Sequence, residues 1–221
     1  PPMNVIKDTD ALASFCDALS TADYITVDTE FMRESTFWPI LCLVQVAGPE
    51  DEAIIDPLAD GMDLTPLYDL MADENVLKVM HAPKQDIEIF HHEGGVTPKP
   101  LFDTQIAAMV AGFGDQVGYE TLIAKLTKIR PDKGSRFTDW SQRPLTDAQL
   151  EYALGDVTHL RPAYEKLRRR IEENGRLEWV EEEMVKLADP ALYEVVPENG
   201  WRRLKPKRNQ PKYLAMLQAV A

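Results

Sequence analysis

The chain has 221 residues, 44% of them hydrophobic, which is enough to bury one substantial core with room for a short second segment. It holds no run of 18 or more apolar residues and no basic-then-apolar leader, so a spanning helix is excluded and a soluble, cytoplasmic protein is expected. A net charge of −13 argues against binding polyanions by overall charge, but the charge is uneven: residues 125–143 set Lys125, Lys128, Arg130, Lys133, Arg136 and Arg143 against only Asp132 and Asp139.

In chain order, the first half alternates strand-like and helix-like stretches, the signature of an α/β domain. Cys16 and Cys42 sit among apolar neighbours and read as small buried hydrophobes rather than a disulfide. Tyr24 to Phe31 is a strand with Ile25, Val27, Thr29 and Phe31 on one face and Thr26, Asp28 and Glu30 on the other. Ile40 to Ala47, nearly all apolar, is a central strand, and Ala53 to Asp56 follows after the Gly48-Pro49 break. Leu64 to Met71 reads as a helix, Val76 to Met80 as a strand, and Lys84 to His92 as a helix with Ile87, Phe90 and His91 on one stripe. Thr104 to Gly112 and Tyr119 to Leu126 are helical too, with Asp103 at a strand-to-helix junction where an acid serves as a cap.

The second half is almost wholly helical. Thr146, three residues before Gln149, opens a capping box and a periodic run expected to continue to about Asn174, ended by Gly175. A further helix runs from about Leu177 to Leu187 and stops at Asp189-Pro190. We therefore expect one domain over residues 3–196, and then a linker and the beginning of a new, basic segment over 197–221, inside which the chain stops.

Asp28-Thr29-Glu30 places two carboxylates on one side of a strand, roughly 7 Å apart along it. Alone, such a pair is ordinarily a solvated strand face. Tyr152 and Asp156 are an i, i+4 pair that brings a phenol and a carboxylate to one helix face, and Asp86 lies near the C-terminal end of the Val76–Met80 strand, where open α/β sheets form their sites. Four carboxylates and a phenol together suit two-metal phosphodiester hydrolysis, in which cations roughly 3.5–4 Å apart activate a water and hold the leaving oxygen. An all-oxygen set points to two divalent cations, Mg²⁺ or Mn²⁺, with no organic cofactor. His91-His92-Glu93 is a poor metal site, because adjacent helical residues point about 100° apart.

Four stretches carry a specific resemblance: Ile25 to Arg33 (ITVDTEFMR), His81 to Phe90 (HAPKQDIEIF), Leu101 to Ile106 (LFDTQI), and Asp139 to Leu145 (DWSQRPL) continuing through Tyr152 to Asp156. In this order they resemble the ribonuclease D family, the branch of the DEDD 3′-5′ exonuclease superfamily whose third motif carries a tyrosine. The resemblance implies an RNase H-like mixed sheet flanked by helices, as in DnaQ-like exonuclease domains, and release of nucleoside 5′-monophosphates from RNA 3′ ends, tRNA precursors above all. It also implies that Asp28, Glu30 and Asp156 ligate one metal and that Asp28 bridges to a second supported by Asp86. Tyr152 then orients the nucleophile. The residues after Trp201 resemble the opening of a helical HRDC module.

Candidate substrate contacts are Lys133, Arg136 and Arg143 for phosphates, with Phe137 and Trp140 between them to stack a base, and Phe31 and Met32 as a wedge against the terminal base. The same aromatics could instead pin a loop. Two other functions stay open: a DNA-directed exonuclease, and a non-catalytic nucleic-acid-binding scaffold of the same fold.

Overall fold

The computed structural model describes residues 3–33, 36–132 and 134–194. The chain divides into two compact units, residues 1–189 and 190–221. In the second unit the described residues form a single 3-10 turn, Pro190–Leu192, and the expected HRDC-like opening lies outside the described residues.

The first unit is the α/β sandwich read from the sequence. Strands β1 (Val5–Ile6), β2 (Tyr24–Met32), β3 (Ile40–Ala47), β4 (Glu52–Ile55), β5 (Leu77–Met80) and β6 (Leu101–Asp103) form one sheet in the order β1-β4-β3-β2-β5-β6. β3 runs antiparallel to both β2 and β4, whereas β5 and β6 run parallel to β2. β3 is the longest buried run of the sheet: every residue after Ile40 is shielded, as its apolar run demands. The helices are α1 (Thr9–Leu19), α2 (Thr65–Ala72), α3 (Lys84–Gly94), α4 (Thr104–Val110), α5 (Tyr119–Leu126), α6 (Asp147–Thr158), α7 (Leu160–Glu173) and α8 (Leu177–Leu187). No helix among the described residues is long and apolar enough to cross a membrane. Both cysteines are buried and free.

Two features place the site. α6 lies across β2, β3 and β4, and its start is set by the Thr146–Gln149 capping box. α3 begins just after β5 and ends at Gly95, whose φ of 65° is the left-handed C′ conformation that glycine adopts without penalty.

One expectation needs correction. The run from Thr146 to Asn174 is two helices that meet at His159, because Pro162 has no N–H to give the carbonyl of Thr158 and its ring crowds that carbonyl. The break lets α6 hold the β2–β4 surface while α7 turns to pack with α4 and α5 through Leu160, Ala163, Tyr164 and Leu167.

Candidate active site

β2 delivers Asp28 and Glu30 to the face covered by α6. The two elements are tied there, since the buried Thr26 hydroxyl donates to the carbonyl of Val157 at 2.8 Å. Asp156 precedes Val157, and one carboxylate oxygen from each of Asp28, Glu30 and Asp156 lies within 4.8 Å of the other two. Tyr152, one turn earlier on α6, sets its phenol on the same helix face as Asp156 and works against the rise in that carboxyl's pKa.

Asp86 arrives by a different route. β5 stops at Met80, one residue after its last pairing of Thr26 with Val79, so β2 runs on uncovered along that edge. The first turn of α3 fills the space with Asp86, which is buried and accepts a hydrogen bond from the Thr29 hydroxyl. Asp86 stands outside the group of three oxygens, yet its charge acts on both Asp28 and Glu30.

The electrostatics follow from crowding acids in a low-dielectric place. Burial first, and then Asp156, Asp86 and Glu30, push the Asp28 carboxyl well above the usual carboxylate range. Burial followed by Asp156 and Asp86 does the same to Glu30, with Arg136 working the other way. Burial also raises Asp156 and Asp86, in part offset by the Tyr152 phenol beside the first and by the hydrogen bond from Thr29 to the second. The Tyr152 phenol is raised as well, by burial and then by Asp156, so it stays a protonated donor. Such a cluster fits a divalent cation, whose charge removes the repulsion, and its all-carboxylate donor set suits a hard one.

These groups line a cleft of about 590 Å³. Of the candidate substrate contacts, Phe31, Met32, Arg136, Phe137 and Trp140 line it. Arg136 reaches Glu120 at 3.4 Å and stacks on Phe137, which is 91% exposed. Lys133 lies outside the described residues. Two expectations are corrected. All five N–H donors of Arg143 are engaged: Nε and Nη2 grip Asp56 at 2.9 and 2.7 Å, Nη2 also meets the Cys42 carbonyl, and Nη1 meets the carbonyls of Trp140 and Gln142. That guanidinium pins a loop and has no donor left for phosphate. Trp140 is 2% exposed and packs with Leu43, Ile54 and Ala153 while its ring abuts Tyr152, so it backs the tyrosine instead of offering a face to a base.

Sequence reasoning overlooked three participants. Thr29 lay inside the quoted motif, on the strand face away from its two acids. Tyr119 lines the cleft and donates its hydroxyl to the carbonyl of Gly155, next to Asp156, at 2.9 Å. No local pattern announces that contact across 36 residues. His81 is held between Thr104 Oγ1 at 2.9 Å and the Val117 carbonyl at 3.1 Å, and burial pulls its pKa down to about 4, so it is a neutral brace for the cleft wall. Asp103 is a cap, accepting from Gln105 N–H and also from Ala82 N–H.

A family model described as 3′-5′ exonuclease matches residues 3–172. The chain belongs to the 3′-5′ exonuclease family. It is 54% identical over 220 residues to ribonuclease D of Granulibacter bethesdensis and 55% identical over 221 residues to that of Acidiphilium cryptum, covering 100% of this chain and 56% of each relative. The chain thus spans about half the length of the curated relatives it matches. Among solved structures, Escherichia coli RNase D, described as an exoribonuclease involved in structured RNA processing, superposes with a TM-score of 0.86 at 37% identity, over 92% of this chain and 54% of that one. Brucella melitensis NrnC bound to pGG superposes with a TM-score of 0.75 at 26% identity, over 95% of this chain and 100% of that one. The resemblance to ribonuclease D and its mixed-sheet fold holds across the first unit.

Proposed function

We propose that this chain is a 3′-5′ exoribonuclease that removes nucleoside 5′-monophosphates from RNA 3′ ends, tRNA precursors among them, with two divalent cations. The observation that carries the reading is the meeting of Asp28, Glu30 and Asp156 within 4.8 Å beside the Tyr152 hydroxyl, on the wall of an open cleft.

In this reading Asp28, Glu30 and Asp156 would hold one cation, and Asp28 and Asp86 would serve a second. Bound cations supply the lowered pKa of the attacking water and the neutralisation of the phosphoryl charge. Tyr152 supplies orientation: a phenol raised above its ordinary value is a weak base at neutral pH, but its hydroxyl holds a water in line. Arg136, whose charge acts on Glu30 and Asp156, meets the terminal phosphate, while Phe31 and Met32 border the terminal base. RNA is preferred over DNA on the relatives' activity.

The test is release of nucleotide from a 3′-labelled RNA, from the matching DNA and from pGG, each with Mg²⁺ or Mn²⁺ and with chelator. We expect metal-dependent release of 5′-monophosphates from RNA, abolished in a folded Asp28→Ala protein. Release from DNA alone would move the substrate, and release from none of the three would leave a binding scaffold.

A further inference from the structure

Gln45 is the one strongly polar side chain on β3. It is wholly shielded from solvent, and both its amide nitrogen and its amide oxygen lack a hydrogen-bond partner. A buried amide left unpaired opposes folding, and leucine or methionine would fill the same space without that penalty. Packing therefore does not explain its presence.

The register gives the reason. Gln45 is the direct partner of Asp28 on β2 and of Ile54 on β4. Directly opposed residues of an antiparallel pair project to the same face, with Cβ atoms ~4.5–5.5 Å apart. The row across the sheet thus reads Ile54, Gln45, Asp28. On one side the amide meets a hydrocarbon, and on the other it meets the carboxylate that faces Glu30 and Asp156. Along its own strand, the neighbours on the same face are Leu43 and Ala47, both apolar and buried. Overhead, α6 brings Ala153 of the apolar cluster that holds Leu43 and Ile54. Asp28 is the acceptor that this row presents to Gln45.

We infer that Gln45 is a positioning residue for Asp28: its amide, unpaired in this structure, turns to donate an N–H to the carboxylate from behind once a divalent cation is held by Asp28, Glu30 and Asp156, and so fixes which way the oxygens face. The inference rests on the metal-dependent reading of the site. A hydrogen-bond donor behind a ligating carboxylate sets the ligand's direction, and loss of such partners elsewhere weakens metal binding ~10–100-fold. It also accounts for a polar residue in the longest buried run of the sheet, since the unpaired amide is the cost of holding the ligand ready.

The experiment compares the full chain with Gln45→Met and Gln45→Leu, which keep the volume and remove the amide, and with Ile54→Val, which disturbs the same row without touching a polar group. Mn²⁺ affinity is read by calorimetry and the melting temperature of the metal-free protein by circular dichroism. Removing an unpaired amide is expected to raise or hold the melting temperature while the Mn²⁺ dissociation constant rises about tenfold or more. kcat should fall, with KM for RNA nearly unchanged. Ile54→Val should lower the melting temperature and leave Mn²⁺ affinity alone. If both Gln45 variants bind Mn²⁺ within a factor of about two of the parent, Gln45 is core filling and the inference is overturned. If the parent chain itself binds no Mn²⁺, the metal-dependent reading of the site fails, and this one with it.

Discussion

The Thr29 hydroxyl donates a hydrogen bond to the Asp86 carboxylate, so the residue between the two acids of β2 holds a third acid that comes from α3. A single strand thereby addresses both sides of the site: Asp28 and Glu30 toward α6, and Thr29 toward α3. Thr29→Val keeps the shape and removes the donor. We expect kcat to drop about tenfold or more, as for other lost partners of ligating groups. The melting temperature should fall by several degrees, because a buried carboxylate losing its partner costs ~1–3 kcal/mol. Thr29→Ser should restore most of both. Wild-type turnover in Thr29→Val would remove Thr29 from the site's architecture.

Arg143 gives the opposite forecast. Asp56 is nearly buried and its carboxylate is gripped by two of the Arg143 donors. Arg143→Ala should destabilise the protein by about 2–4 kcal/mol, between the value of an exposed pair and that of a buried pair broken on one side. Activity of the folded fraction, and KM for RNA in particular, should change little. A large rise in KM with an unaltered melting temperature would return Arg143 to the substrate.

Much of the site could be read in the sequence because its parts are local. Alternation alone puts Asp28 and Glu30 on one face, and the capping box plus the i, i+4 spacing puts Tyr152 beside Asp156. Their convergence is another matter, since nothing local says that α6 crosses β2 or that β5 stops short and leaves room for Asp86. That knowledge came through the resemblance. Arg143 was misread for the same reason, as its partner Asp56 lies 87 residues away and a basic residue in a polar loop looks exposed. Some misses were avoidable. Pro162 marked the break between α6 and α7. α1 shows Leu12, Phe15, Cys16 and Leu19 at helical spacing behind the cap Asp8. β1, only two residues paired with β4, has no local signature.

Tyr152→Phe separates positioning from ligation. The phenol shares the helix face of Asp156 and its ring packs near Trp140, so phenylalanine preserves the packing and removes one donor. We expect kcat to fall by about 10²-fold or more, the scale for a positioned group acting on a reacting water. Mn²⁺ affinity should stay within about twofold. Equal losses in affinity and rate would mean that the phenol serves the metal site instead of the nucleophile.

The last forecast concerns folding itself. Asp28, Glu30, Asp86 and Asp156 all have folded-state pKa values raised above the ordinary ~4 of an unfolded chain, Glu30 to about 9. The folded protein therefore holds more protons than the unfolded one from about pH 4 upward through neutrality. In that window its stability falls as pH rises, each such group contributing up to ~1.4 kcal/mol per pH unit between its two pKa values. Below about pH 4 these groups cost nothing, since they are protonated in both states. The metal-free protein should thus melt higher at pH 5.5 than at pH 8, by on the order of 5 °C, and Asp28→Asn, which removes one of the raised carboxyls, should flatten that slope and raise the melting temperature at pH 8. Mn²⁺ at a hundred times its dissociation constant should return ~2.7 kcal/mol at pH 8, and chelator should take it away. Calorimetric melts with and without chelator at the two pH values decide the matter. A metal-free melting temperature that climbs from pH 5.5 to pH 8 would mean that the four acids are not crowded together in solution, and the cation site would go with them.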